Sequence, residues 1–149
     1  MDAVARQQSE LIPLGFAAGF IVFWALVSCI VSIAGGWWKL AQQYRTEQPL
    51  PAHRRTTQRG QMRFMVGYNN VLTIASDAEG LYLGVFFLFR IGHPRLFLPW
   101  AGVEVEAPKR SLFTTWQTLR LGPDRIPLRL RASLVDFLLA GKADPGSSI

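Results

Sequence analysis

The chain has 149 residues, of which 50% are hydrophobic and 17% are charged, and its formal net charge at pH 7 is +6. One apolar segment and one modest domain of roughly 80 to 90 residues fill a chain of this length, which excludes a multidomain architecture. The positive charge is concentrated after the apolar segment, since residues 39–149 hold 15 basic and 8 acidic side chains.

Residues 11–38 form the apolar segment, with no Asp, Glu, Lys, Arg or His between Glu10 and Lys39. A helix rises ~1.5 Å per residue, so about 20 apolar residues cross the hydrocarbon core of a bilayer. The segment predicts a single transmembrane helix, because a domain of ~90 residues cannot enclose a helix that is apolar on every face. The basic residues that follow predict a cytoplasmic domain and an external N-terminus, residues 1–10.

Two processing signals compete with this interpretation. A cleaved signal peptide has a basic N-terminal region and a shorter apolar core than residues 11–38. Residues 26–29, Leu-Val-Ser-Cys, resemble a bacterial lipobox in which Cys29 would carry the lipid, although the apolar run continues beyond it. The alternative for Cys29 is a small apolar residue inside the helix.

A pair of glycines lies in the first half of the apolar segment. Gly15 and Gly19 stand four residues apart, which is the small-xxx-small spacing that lets two membrane helices approach closely. Homodimerisation through this helix face is therefore a hypothesis. Glycine is also common in membrane helices without any partner.

Residues 39–60 are predicted to leave the membrane as a short helix and then a polar, basic linker. The apolar face of this helix (Trp37, Leu40, Ala41 and Tyr44) lies either on the membrane surface or under the domain. Anionic headgroups attract basic residues beside a membrane by ~1 kcal/mol each, and no recognisable nucleic-acid-binding module surrounds these residues. The residues expected at the membrane surface are Trp37, Trp38, Lys39, Arg45, Arg54, Arg55 and Arg59.

From residue 61 the pattern changes to short apolar strands separated by turns. Turns are expected at residues 68–70, where asparagine tolerates positive φ, and at residues 77–80. A helix is expected at residues 133–141, and residues 142–149 are predicted to be a disordered tail. Seven strands are predicted, over residues 62–66, 71–75, 81–89, 95–100, 103–107, 113–121 and 126–130. This order predicts an α+β fold, in which a transmembrane helix precedes a small antiparallel β-sandwich or barrel over residues 61–141 that ends in a helix.

The order of strands followed by one amphipathic helix is similar to a pleckstrin-homology-like (PH-like) or GRAM-like domain. The chain also resembles small uncharacterised bacterial membrane proteins. That likeness rests on Gly-Trp-Trp-Lys-Leu-Ala at residues 36–41, Glu-Gly-Leu-Tyr-Leu at 79–83, and Phe-Arg-Ile-Gly-His-Pro at 89–94. The resemblance implies one membrane helix plus a cytoplasmic PH-like domain at the bacterial inner membrane, and it implies no particular activity.

Catalytic residue patterns are scarce, so no catalytic residue, metal site or cofactor is predicted. Arg90, His93 and Arg95 surround a Gly-Pro loop and form a candidate pocket for an anion, because arginine binds phosphate and carboxylate groups bidentately. The alternative is a tight turn in which His93 bonds to the backbone and the arginines neutralise nearby glutamates. Phe86 or Phe87, if exposed, would offer an apolar patch to a partner.

These features predict a membrane-anchored PH-like interaction module, an adaptor that binds a protein or anionic lipid at the cytoplasmic face. The alternative is a structural accessory subunit whose helix and domain pack onto a larger membrane complex. An enzyme is not expected. The partners predicted are membrane lipids and a protein of unknown identity, without nucleic acid.

Overall fold

The computed structural model describes residues 2–63 and 65–143. It contains a long N-terminal helix, a short second helix, an antiparallel sheet and a C-terminal helix, which confirms the α+β prediction. The elements are α1 (Asp2–Gly35), α2 (Trp37–Tyr44), β1 (Arg54–Met62), β2 (Val66–Ser76), β3 (Gly80–Val85), β4 (Leu96–Pro99), β5 (Val103–Val105), β6 (Lys109–Arg110), β7 (Thr115–Leu121), β8 (Ile126–Arg131) and α3 (Ala132–Ala143). Single 3-10 turns lie at Phe87–Phe89 and Trp100–Gly102.

The strands form one nearly closed antiparallel sheet in the order β4-β3-β2-β1-β8-β7-β5, with the short β6 paired to β7. Its interior is filled by buried leucines that alternate along the strands, as in β8, where Ile126, Leu128 and Leu130 point inward. α3 packs against β2, β7 and β8. Ser76 Oγ donates a hydrogen bond to Leu138 O at 2.8 Å, which ties α3 to the end of β2.

Among the residues described, α1 is the one helix that contains a stretch long and apolar enough to cross a membrane. This stretch runs over Arg6–Gly35, with a mean hydropathy of 2.4 in its most apolar window, of which 11% is buried. Its side chains are exposed from Leu11 to Phe23 and become partly covered from Trp24 onward. Gly36, at φ 82°, separates α1 from α2, because this left-handed conformation favours glycine.

α2 packs under the domain, which decides between the two surroundings proposed for its apolar face. Trp37 and Leu40 are 0% and 3% exposed and belong to the core, whereas Trp38 is 50% exposed. The prediction of Trp37 as a membrane-surface residue is therefore wrong. Its indole Nε1 donates to Pro94 O at 2.8 Å inside the domain.

The polar linker predicted up to residue 60 is also wrong, because β1 begins at Arg54. Residues 54–59 lack the apolar pattern of a buried strand because they pair with β2 alone and most of their side chains are exposed. β1 reaches β8 only at Gln61 and Met62. Backbone hydrogen bonds to β2 therefore form this strand, and its polar sequence suits the solvent around it.

Two further boundaries differ from the prediction. The turn expected at residues 68–70 belongs to β2, and the chain reverses instead between the paired residues Met62 and Val66. Asn70 has the positive φ, 57°, that was expected of a turn residue, but it lies inside β2. The strand expected over residues 81–89 ends at Val85, and Phe86 through Ile91 form an exposed loop, named here the apolar loop (residues 86–91). Residues 144–149 of the predicted tail lie outside the described residues, and α3 includes residues 142 and 143.

Candidate functional site

His93, the centre of the predicted anion pocket, is 2% exposed and faces α1. Its Nδ1 lies 3.1 Å from Phe89 O, and its Nε2 lies 2.9 Å from the Tyr68 hydroxyl. Because a carbonyl oxygen can only accept, Nδ1 donates to Phe89 and Nε2 accepts from Tyr68. Burial lowers the pKa of His93 and raises the pKa of Tyr68 above its usual range, so both side chains are neutral near pH 7.

The same loop fixes α1 to the domain. A Cβ added to Gly92 would lie 2.7 Å from Ser28 O, so only glycine allows the helix backbone to approach this closely. Ser28 Oγ donates to Phe89 O at 3.3 Å. The His93 ring contacts Trp37 and Tyr68, with ring centroids 5.2 and 5.4 Å apart. His93 therefore acts as a structural residue at the junction between α1 and the domain.

The two arginines of the predicted pocket are directed elsewhere. Arg90 is exposed, and Arg95 donates from its guanidinium to Gln48 O at 2.6 Å. His93 is therefore not available to bind an anion, because both of its ring nitrogens bind protein groups. Anion binding by Arg90 and Arg95 stays a prediction.

Two of the three glutamates that these arginines were expected to neutralise, Glu79, Glu104 and Glu106, have other partners. Glu104 pairs with Arg125 at 2.9 Å, and Glu106 pairs with Arg120. The hydrogen bond from Arg120 is the main reason that the pKa of the Glu106 carboxyl lies below its usual value. Among the described residues, no group of three or more His, Cys, Asp or Glu side chains could hold a metal ion.

An apolar cavity of about 290 Å³ lies between α1 and the domain. Its walls include Trp24, Val27 and Val31 of α1, and Val71 and Phe89 of the domain. The polar side chains that line it, Ser28, Tyr68, Asn69 and His93, are neutral. This cavity offers no charge to a ligand.

A second cavity, of about 470 Å³, has the opposite character and is named here the basic groove. Three arginines and four uncharged polar residues line it together with one leucine, and none of the described lining residues is acidic. The lining residues are Arg55, Thr57, Gln58, Arg59, Asn70, Arg131, Ser133 and Leu134. The groove can therefore hold an anion, with hydroxyl and amide groups available for additional hydrogen bonds.

Irregular pairing of β1 shapes the basic groove. The β1–β2 register shifts twice, between Arg55 and Gln58 and again between Gln58 and Gly60, and Thr57 has a φ of 54°. Such bulges bend a strand and redirect its side chains. The guanidinium of Arg55 lies 4.4 Å from the centre of the Phe137 ring, and Arg59 Nε donates to Asn70 Oδ1 at 3.0 Å. Both arginines are thus held at the groove by side-chain contacts.

The basic groove lies close to the point where α1 leaves the domain. Val71, the residue after Asn70, accepts a backbone hydrogen bond from Phe86 at 2.9 Å and also lines the cavity beside Trp24. Adjacent Cα atoms are ~3.8 Å apart and paired strands ~5 Å, so Asn70 lies within roughly 10 Å of Phe86. Asn70, one of the residues that line the groove, is therefore near the apolar loop.

The remaining residues predicted at the membrane surface are spread around the domain. Lys39 pairs with Asp124 at 3.2 Å, Arg45 forms an isolated bridge with Leu96, and Arg54 pairs with Ala75 in the sheet. Arg55 and Arg59 share the basic groove. Sequence reasoning missed Arg131 and Asn70, which β8 and β2 bring beside β1; the polar alternation of residues 127–131 was the available signal for Arg131.

The chain matches no protein-family model, no curated protein and no solved structure. What the basic groove binds therefore follows from the chemistry of the groove itself.

Proposed function

We propose that this protein is a membrane-anchored interaction module that binds the phosphate group of an anionic lipid in the basic groove. The observation that carries the proposal is the presence of three arginines without an acidic neighbour in the wall of one groove, in a chain whose helix α1 is apolar enough to cross a membrane. An acidic segment of a partner protein is the other source of a matching anion.

Arginine suits this role better than lysine would. Its planar guanidinium donates two parallel hydrogen bonds to a phosphate and is weakly hydrated, so it loses little on leaving water. Thr57, Ser133 and Asn70 add hydroxyl and amide groups in the same cavity. Charges at a bilayer surface act over a Debye length of ~8 Å at physiological salt. The distance from Asn70 to the apolar loop is of the same order.

Location and family form part of this proposal. The excess of basic residues after residue 38 supports a domain on the cytoplasmic face and an N-terminus outside. The nearly closed antiparallel sheet followed by α3 supports a PH-like or GRAM-like assignment. The sequence resemblance to small bacterial membrane proteins supports the bacterial inner membrane. The proposed binding requires no cofactor, metal ion or catalytic group.

Lipid titration of the full chain tests the proposal. The protein in a nonionic detergent is titrated with short-chain phosphatidylglycerol or phosphatidylcholine, and binding is followed by thermophoresis. We expect preference for phosphatidylglycerol, and a loss of at least about tenfold in affinity in the triple variant Arg55→Gln, Arg59→Gln, Arg131→Gln, since each charged hydrogen bond contributes about 1.5–3 kcal/mol.

The matched control removes the same charge elsewhere, through Lys109→Gln, Arg110→Gln and Arg125→Gln. An equal loss of affinity in both triple variants would mean that net charge alone explains the effect. It would contradict specific binding in the groove. Binding of an acidic peptide that depends on the groove, without any lipid preference, would assign the groove to a protein partner instead.

A structural accessory subunit is the second candidate, supported by the open surface of α1. A Cβ added to Gly15 or Gly19 would meet no described atom within 4 Å, so another helix has room to pack there. Cross-linking in membranes tests association, whether with a second copy of the chain or with another protein. The variant Gly15→Leu, Gly19→Leu should lose the cross-linked species, and Ala17→Leu, on another helix face, should retain it.

A further inference from the structure

The apolar loop exposes four large hydrophobic side chains next to one another. Phe86, Phe87, Leu88 and Ile91 are 47%, 61%, 51% and 58% exposed. Contiguous apolar surface of this kind in a small domain marks an interaction site. The neighbours of the loop identify what covers it.

α1 is the immediate neighbour of the apolar loop. Trp24 Nε1 donates to Leu88 O at 3.1 Å, and the Trp24 and Phe89 rings lie 5.1 Å apart. Together the helix and the loop line a shallow, almost entirely apolar groove, formed by Phe20, Ile21, Trp24, Phe87, Leu88 and Ile91. The exposed surface of the loop is thus continuous with the exposed surface of α1.

Much of the backbone of the apolar loop is hydrogen-bonded, which lowers the cost of entering lipid, where unpaired amide and carbonyl groups each cost several kcal/mol. Phe86 N donates to Val71 O, Phe89 N to Phe86 O and Arg90 N to Phe87 O, all within 3.2 Å. The carbonyls of Leu88 and Phe89 accept from Trp24 and Ser28. Arg90 is the one charged residue in the loop, and its long side chain can extend to the headgroups.

We infer that the apolar loop enters the same bilayer as α1, beside Trp24, as a second membrane contact of the domain. This inference rests on the proposed membrane anchoring. The segment from Leu11 to Ile30 contains about 20 residues, so it spans ~30 Å, and its last two turns, from Trp24 onward, pack beside the apolar loop. Trp24 then lies ~9 Å inside the boundary, within the ~5–10 Å depth of interfacial anchors. The membrane boundary accordingly falls near Ile30 and not at Trp38.

Single fluorescent labels in the full chain test this depth. Cys29, the one cysteine of the chain, is first replaced by alanine. One cysteine is then introduced by Phe87→Cys, by Ala78→Cys at the turn beyond the opposite end of β3, or by Phe16→Cys in the exposed part of α1. Each labelled protein is reconstituted into vesicles of phosphatidylcholine and phosphatidylglycerol. Nitroxide lipids quench labels in hydrocarbon, and iodide quenches labels in water.

We expect the label at residue 87 to lose most of its emission to nitroxide lipid and little to iodide, and the label at residue 78 to behave in the opposite way. Ile91→Cys gives a second measurement of the loop. Iodide quenching at both loop positions, with lipid quenching at residue 16, would overturn the inference while α1 remains in the bilayer. Iodide quenching at residue 16 would contradict the anchoring itself, and the inference with it.

Discussion

The two parts of α1 have similar composition and different surroundings. From Leu11 to Phe23 the side chains are exposed, and a Cβ added to Gly15 or Gly19 would meet no described atom within 4 Å. From Trp24 to Gly35 the helix packs on the domain, where Ser28 and Ser32 are 4% and 0% exposed. Hydropathy alone therefore does not distinguish a lipid-facing helix from a protein-facing one. The close approach of Gly92 and the buried serines identify the protein-facing part.

Replacing Trp37, which lies in α2 directly after the packed part of α1, should have the largest effect on stability. Trp37 is 0% exposed, and Trp37→Ala should lower the free energy of unfolding by about 3–5 kcal/mol through the cavity it leaves. Trp38→Ala, at a side chain that is 50% exposed, should cost much less. Urea unfolding of the full chain in mild detergent, followed by circular dichroism, measures both. Equal losses would mean that the two tryptophans share one environment.

A side chain at Gly92 should separate α1 from the domain without removing any buried surface. Gly92→Val places a Cβ 2.7 Å from Ser28 O, which forces a shift of the helix backbone or of the loop. We expect a cost of about 1–3 kcal/mol and faster proteolysis near residue 92. Gly19→Val, which meets no described atom within 4 Å, is the control. Wild-type stability of Gly92→Val would show that α1 docks only loosely.

Acidification should weaken the same junction through His93. Burial lowers the pKa of His93 below its ordinary 6.5. Below about pH 6.5 the unfolded chain therefore binds a proton that the folded chain excludes. Stability is fully present above that pH and falls as the pH decreases, by at most about 1.4 kcal/mol per pH unit for one group.

The comparison of wild type with His93→Gln between pH 7.5 and 5.5 isolates this effect. The difference in unfolding midpoint between the two proteins should shrink as the pH falls. Glu106 does not interfere in this pH range. Its pKa is lowered in the folded protein, so its contribution to stability is lost only below its ordinary pKa of 4.5. A difference that is independent of pH would mean that His93 is accessible to protons in the folded state.

The fold was largely predictable because its strands carry strong local signals. β3 and β8 are apolar runs that each follow a turn, and the uncharged stretch of α1 from residue 11 is unmistakable in the sequence. β1 was not predictable, since its order comes from backbone bonds to β2 and most of its side chains face solvent. The exposed end of residues 81–89 was not predictable for the opposite reason. An apolar run indicates that its side chains are buried, and it does not say whether protein or lipid buries them.

The candidate site was predictable only in part, because it depends on pairing between distant strands. Arg55 and Arg59 stood out as basic residues near the membrane segment, but Arg131 joins them only after β8 closes the sheet against β1. For His93 the sequence left two alternatives, an anion pocket and a turn in which it bonds to the backbone, and the structure shows the backbone bond, to Phe89 O. A Gly-His-Pro loop is compatible with either a pocket or a packed junction, and only the position of α1 distinguishes the two.

The smallest expected effect concerns a polar atom that the junction leaves unpaired. Ser32 Oγ is the one buried side-chain oxygen or nitrogen without a hydrogen-bond partner in the part of the chain described here. Burying an unpaired hydroxyl costs about 1–3 kcal/mol, so Ser32→Ala should leave the free energy of unfolding unchanged or raise it by up to about 1 kcal/mol. Ser28→Ala is the matched change, and it should lower stability slightly because Ser28 donates to Phe89 O. If Ser32→Ala is the more destabilising of the two, Ser32 has a partner in the membrane-bound protein, and α1 is packed more tightly there than the exposed half of the helix suggests.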